Sequence, residues 1–194
     1  MNTDVLLEVL RTKVAHVKET ILAQENSRDA LIIAKSYLSP QSYGALLETW
    51  IKKRMDLGDK LDNLSGDASH NIKTFEIKVS IEDKTGKFNY VQLRPSHSVD
   101  AYIILNYSIT LDEVLWLYIP HNEMITMINE SGGYAHGTLA VQGAITLQSI
   151  QSNSYEYCIR PNMHKPNTQA GKTWQALTKY RVSEDELRQI LHKT

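Results

Sequence analysis

Gly66-Asp67, with Glu76-Ile77-Lys78 beginning nine residues after the aspartate, brings two carboxylates and an amine to a spacing that can hold a divalent cation against a phosphodiester. Phe75, Ile77, Val79 and Ile81 alternate with Glu76, Lys78 and Ser80, which reads as a strand whose acid and base share one face. A carboxylate at the end of one strand and another on its neighbour can share a hard ion such as magnesium, which takes oxygen ligands and keeps several waters. One of those waters is a candidate nucleophile, and Lys78 lies on the face from which it reaches that water or the phosphate. The commoner role of Glu-x-Lys on a strand is an exposed ion pair. Here the triplet follows Gly-Asp and precedes further strand patterns. Asp56, Asp59 and Asp62 compete for the first ligand position, but only Asp67 stands beside a glycine just ahead of the strand.

The elements that must position these groups can be read from periodicity. Ser39-Pro40 opens a helix whose buried side is Tyr43, Leu46, Leu47, Trp50, Ile51 and Met55. Glu48 lies on the edge of that stripe, either beside a metal or in an intrahelical pair with Lys52. Strands are expected over 60–67, 72–82, 87–94, 100–107 and 113–119. Lys84-Thr85-Gly86-Lys87 reads as a hairpin turn, which makes 72–82 and 87–94 an antiparallel pair with Gln92 inward on the strand adjacent to the catalytic one. The two later strands are solidly apolar and belong at the centre of the sheet. Pro120 opens a short helix. Ahead of all this, Val5, Leu6, Val9, Leu10, Val14, Val17, Ile21 and Leu22 recur at helical spacing, with a break at Asn26–Asp29. Their stripe packs on its own core or forms a dimer contact. Tyr155 to Arg160 reads as a last strand. Helices near 172–180 and 184–192, the latter capped by Ser183, form a helical hairpin or a helix-turn-helix.

Asp67 followed by Glu76-x-Lys78, with Gly44-Ala-Leu-Leu-Glu48 on a helix ahead and Tyr90-Val-Gln92-Leu-Arg94-Pro95 leading into the strand Tyr102–Tyr107, resembles the PD-(D/E)XK nuclease family, and within it the small Type II restriction endonucleases. The likeness covers roughly residues 40–120, and Gly66 stands where the family has a proline. It implies an α/β, restriction-endonuclease-like core, a central mixed β-sheet flanked by helices. It further implies magnesium held by Asp67, Glu76 and the Ile77 carbonyl, with Lys78 orienting or deprotonating water and Glu48 and Gln92 in support. The implied activity is hydrolysis of double-stranded DNA at a short specific sequence by a homodimer. A repair or junction nuclease, or a non-cleaving DNA-binding protein on the same scaffold, are the alternatives. DNA contacts would come from Arg94, Ser96, His97 and Ser98 in one loop, His136 and Thr138 in the glycine-rich run Ser131–Thr138, and His164, Lys165 and Asn167 in a third loop.

A chain of 194 residues is long enough for one substantial core. One domain is therefore expected over 1–194, with an N-terminal helical segment at 1–38, the catalytic core at 39–130 and a C-terminal elaboration at 131–194. Hydrophobic content of 42% and charged content of 22% argue against extensive disorder. A net charge of −1 is compatible with a nucleic-acid enzyme whose Lys and Arg line one cleft. The single cysteine, Cys158, excludes an intrachain disulfide and a thiolate zinc cage, and reads as a packing residue. No run approaches the roughly eighteen apolar residues that cross a bilayer, and the N-terminus lacks a signal-peptide pattern, so no membrane partner and a cytoplasmic location are expected.

Overall fold

The computed structural model describes residues 3–14, 26–131, 134–135, 147–152 and 155–193. Helix α1 (Thr3–Arg11) is followed by α2 (Ser27–Ser36), which starts at Asn26, whose side chain accepts the Asp29 N–H. Helix α3 (Pro40–Met55) starts at Ser39, whose hydroxyl accepts the Ser42 N–H, with Pro40 in the first turn. Leu6, Leu7 and Leu10 of α1, Leu31 and Ala34 of α2, and Tyr43, Leu47, Ile51 and Met55 of α3 are all buried together. Leu6, Leu10 and Val14 of the N-terminal apolar stripe are thus packed in the chain's own core, while Val5 and Val9 stay partly exposed.

The central sheet has six strands in the order β1-β2-β3-β5-β6-β9 among the described residues. They are β1 (Gly58–Asp59), β2 (Ala68–His70), β3 (Lys73–Ile81), β5 (Ala101–Ser108), β6 (Glu113–Pro120) and β9 (Arg181–Val182). Strand β3 is antiparallel to β2 and parallel to β5, which is antiparallel to β6, so the sheet is mixed. Every residue of β5 is buried. Ala101, Ile103, Leu105 and Tyr107 face the helical layer, while Tyr102 and Ile104 face a second core. That double burial is why the run carries no charge, as expected of a central strand. The α/β architecture with helices flanking a mixed sheet is as expected; it is consistent with a restriction-endonuclease-like core without being specific to one.

The second core lies under a three-stranded sheet, β4 (Tyr90–Leu93), β8 (Tyr157–Ile159) and β7 (Tyr134–Ala135), in the order β4-β8-β7. Phe88, Tyr90, Tyr157 and Ile159 meet Met124 and Ile128 of helix α4 (His121–Glu130), Ile150 of α5 (Leu147–Ser152) and Leu177 of α6 (Gln169–Thr178) there. Cys158 is buried in β8, as its packing role requires. Helix α7 (Glu184–His192) closes the opposite face through Leu187 and Leu191, and Ser183 and Glu186 form a capping box at its start. Strand β9 separates α6 from α7 and pairs with β6, so the two helices are not a helix-turn-helix. Among the described residues no helix is long and apolar enough to cross a membrane.

Two expectations for the strands need correction. Residues 60–67 form turns, and the strands on either side of them are only β1 and β2. The turn at Lys84–Lys87 exists, with the Asp83 N–H donating to the Lys87 carbonyl and Gly86 at φ +80, but it does not join an antiparallel pair. Strand β4 pairs with β8 instead, while β3 has the buried, uncharged β5 on one edge. On the other edge β2 stops at Phe75. Gly66 sets that stop: its φ is +74, and a Cβ there would stand 2.6 Å from the Phe75 carbonyl oxygen and 2.8 Å from Val99 Cγ1. The chain therefore passes tightly beside β3 and delivers Asp67 to an edge that no strand among the described residues covers beyond Phe75. Gly66→Ala is expected to destabilise the protein by about 2 kcal/mol or more, through positive φ and a backbone clash, as read by denaturant unfolding.

Candidate active site

Asp67, Glu76 and Lys78 meet at that edge. The Asp67 N–H donates to the Phe75 carbonyl as the last rung beside β2. Its carboxylate then takes over as acceptor, with Oδ2 receiving the Ile77 N–H at 2.9 Å. In a strand the N–H and C=O of one residue leave on the same side, so the Ile77 carbonyl is turned to the same edge. Glu76 and Lys78 point to the other face of β3 from Phe75 and Ile77, and Lys78 Nζ lies 2.6 Å from Glu76 Oε1 and 3.9 Å from Asp67 Oδ2. One ammonium thus serves two carboxylates. Glu76 is 1% exposed, against 15% for Lys78 and 22% for Asp67, so the acid is sunk and the other two are reachable.

Charge accumulates around this trio. Glu48 on α3 pairs with Lys52 at 3.1 Å, and Lys52 also lies 3.8 Å from Asp59. Burial pushes the Glu48 carboxyl above its usual range, and the Asp67 charge pushes the same way, against the pull of Lys52 and Lys78. The intrahelical pair with Lys52 is thus present, and Glu48 is near enough to Asp67 for their charges to interact. Arg94, in the turn before β5, is bound by Glu156 with Nε at 2.8 Å and Nη2 at 2.7 Å. Burial works against its charge, but Glu156, Glu76 and Asp67 together hold its pKa above the ordinary value. His97 brings Nδ1 to 3.6 Å from Glu76 Oε2, and neither atom has a hydrogen-bond partner. Tyr102 is in register with Glu76 on β5, and its hydroxyl is buried and unpartnered as well. Burial raises the Tyr102 pKa, and the Glu76 and Asp67 charges raise it further.

Of the residues singled out from sequence, Asp67, Glu76, Ile77, Lys78, Glu48, Arg94 and His97 come together. Gln92 does not lie inward on a strand next to β3, whose neighbours are β2 and β5. It is exposed, with φ 53, where the register of β4 slips between Tyr90 and Leu93. Ser96 and Ser98 are exposed in the same turn as His97, and the Ser98 backbone ties that turn to Leu64 and Thr74. His164 sits at the far end of β3, with Nε2 3.3 Å from Glu82 Oε1 and 3.1 Å from Thr110 Oγ1. Six residues of strand put Glu82 about 20 Å from Glu76. Lys165 and Asn167 are exposed in the His164 loop, which is therefore not part of this site. His136 and Thr138 lie outside the described residues. Sequence reasoning missed Tyr102 and Glu156: strand register brings in the first, and the second is 62 residues from the arginine it binds.

Among the described residues no three His, Cys, Asp or Glu side chains gather closely enough to hold a metal by themselves. The donors present fit a hard cation that takes two carboxylates and a carbonyl and completes its shell with water. Glu76 Oε2 is a buried oxygen without a partner, and the Lys78 ammonium already occupies a cation's place between Glu76 and Asp67. No protein-family model matches the chain, and no curated protein does.

Glu48 offers a test of the electrostatics. A carboxyl whose folded pKa exceeds its unfolded one contributes stability in acid that is lost as pH rises through the folded value. Glu48→Gln is therefore expected to melt above the parent at pH 8, with the gain vanishing below about pH 4, where the carboxyl is neutral in both states. Thermal midpoints at the two pH values check it.

Proposed function

We propose that the chain is a magnesium-dependent endonuclease that hydrolyses phosphodiester bonds of duplex DNA, with the site-specific double-strand cleavage of a Type II restriction endonuclease as its specific form. The observation that carries this is the Lys78 ammonium shared by Glu76 and Asp67 on a strand edge that no strand among the described residues covers beyond Phe75. Asp67, Glu76 and the Ile77 carbonyl would hold magnesium, which when bound supplies a water of lowered pKa and offsets charge on phosphate oxygens. Asp67 is anchored for that task by the Ile77 N–H, and Glu76 by burial. Lys78 offers a positive donor where phosphate charge grows, or in neutral form accepts the proton of the attacking water. In the reaction a water oxygen bonds to phosphorus, one ester P–O bond breaks, and the leaving oxygen ends protonated. Glu48 adds negative charge beside Asp67 and favours a cation there. Cutting both strands of a symmetric sequence calls for two copies of the chain about its two-fold axis, and sedimentation with DNA reads that stoichiometry.

Plasmid DNA incubated over a magnesium series tests the reading. Discrete fragments support a site-specific enzyme, and a smear an unspecific or repair-type nuclease. DNA that is retarded but uncut identifies a binder and ends the nuclease proposal. Asp67→Asn keeps an oxygen to accept the Ile77 N–H yet loses the charge, so the fold should survive while cleavage falls at least about 100-fold. Lys78→Ala leaves a buried carboxylate without its cation, a loss of about 3–5 kcal/mol, so Lys78→Gln is the gentler companion. Full cleavage by a folded Lys78→Gln protein would contradict the role given to the lysine.

A further inference from the structure

Glu156 Oε1 accepts from Arg94 Nε and lies 2.7 Å from Nη2, and each side chain is 31% exposed. The pair is therefore open to competition from a ligand in solution. Arg94 also closes the turn that carries His97: its carbonyl accepts the His97 N–H at 2.9 Å, and His97 reaches to 3.6 Å from Glu76. The guanidinium thus belongs to the neighbourhood of Asp67 and Glu76, yet its donors are engaged by an acid that comes from the entry to β8. Beside it are buried polar atoms without partners, Tyr102 Oη, His97 Nδ1 and Glu76 Oε2. A guanidinium presents a planar fork of N–H groups that a carboxylate and a phosphate satisfy with the same geometry. Glu156 Oε1 sits across two of those nitrogens, where a phosphate oxygen could sit.

We infer that Arg94 is a backbone-phosphate clamp held in reserve by Glu156, whose carboxylate yields the guanidinium to a phosphate of the bound duplex. The inference rests on the nuclease reading above. It assigns Arg94 to positioning the phosphate chain rather than to reading a base, and makes Glu156 a competitor that every bound duplex must displace. Net attraction to DNA is then weaker than the cation alone would give, and free phosphate is admitted less readily than a polyanion that engages several groups at once.

The test is binding of mixed-sequence duplex DNA by fluorescence anisotropy, in calcium as an oxygen-seeking substitute for magnesium, alongside cleavage in magnesium. Glu156→Gln is expected to tighten binding about threefold to fivefold, the scale of a half-exposed ion pair, and to lower KM with little change in kcat. Arg94→Gln is expected to weaken binding, to reduce the slope of log affinity against log salt by about one, and to abolish any gain from Glu156→Gln in the double variant. A parent protein that cleaves, with Glu156→Gln binding no more tightly, overturns the clamp alone. A gain that persists in the Arg94→Gln background also overturns it, since removing an acid would then act through general charge. A parent that neither binds in calcium nor cleaves in magnesium overturns the nuclease reading and the clamp together.

Discussion

Strand β5 must be dry on both faces, and most of the architecture follows from that. Its eight residues carry no charge and all are buried, so it needs one layer above and another below. Helices α1, α2, α3 and α7 supply the first, and the small sheet with α4, α5 and α6 the second. Its edges are equally committed, with β6 antiparallel along the full length and β3 parallel over seven residues. Strand β3 then has its apolar face in the helical core. Phe75 and Ile77 belong with the helices, while Glu76 and Lys78 lie on the opposite face and pair with each other.

Burying Glu76 there carries an electrostatic cost that its surroundings must offset. A carboxylate at 1% exposure needs a cation close by, and Lys78, two residues along the same face, is the one that β-geometry can bring. The same ammonium serves Asp67 because β2 pairs with β3 only as far as Phe75 and leaves the Ile77 N–H for a side chain to use. Had β2 continued, a backbone carbonyl would have taken that N–H and Asp67 would have been pushed outward. The early end of one short strand thus creates both the opening and its anchored acid.

Around the trio the protein keeps more negative charge than folding alone would favour. Glu48 is held above its ordinary pKa by burial and by Asp67, although Lys52 partly compensates. Tyr102, His97 and Glu76 each keep a buried polar atom unsatisfied. Unsatisfied groups and crowded carboxylates lower stability, and their concentration in one place is what a ligand-binding or catalytic site looks like physically. The opposite end of β3 makes the contrast. Glu82 is just as buried, but there Ser108, Thr110 and His164 engage both of its oxygens. That acid is structural.

Sequence alone marked most of the local elements and singled out Asp67, Glu76 and Lys78 as candidate acids and base. The caps at Ser39 and Ser183, the break at Asn26–Asp29, the apolar stripe of α3, the alternation of β3 and the largely apolar runs of β5 and β6 are local signals that local physics converts directly into helices and strands. Gly66 served in the sequence only to mark Asp67; that a Cβ there would meet the Phe75 carbonyl is decided by the tertiary structure. Pairing was not legible either. Whether β4 returned to β3 or left for β8, whether Gln92 pointed inward, and which loops stood near Glu76 depended on register and on competition for strand edges, which no window of neighbouring residues contains. Tertiary structure alone therefore placed Tyr102 beside Glu76, brought Glu156 to Arg94 across 62 residues and sent His164 to the far end of the strand, because long-range contacts follow from how the whole chain covers β5 rather than from spacing along it.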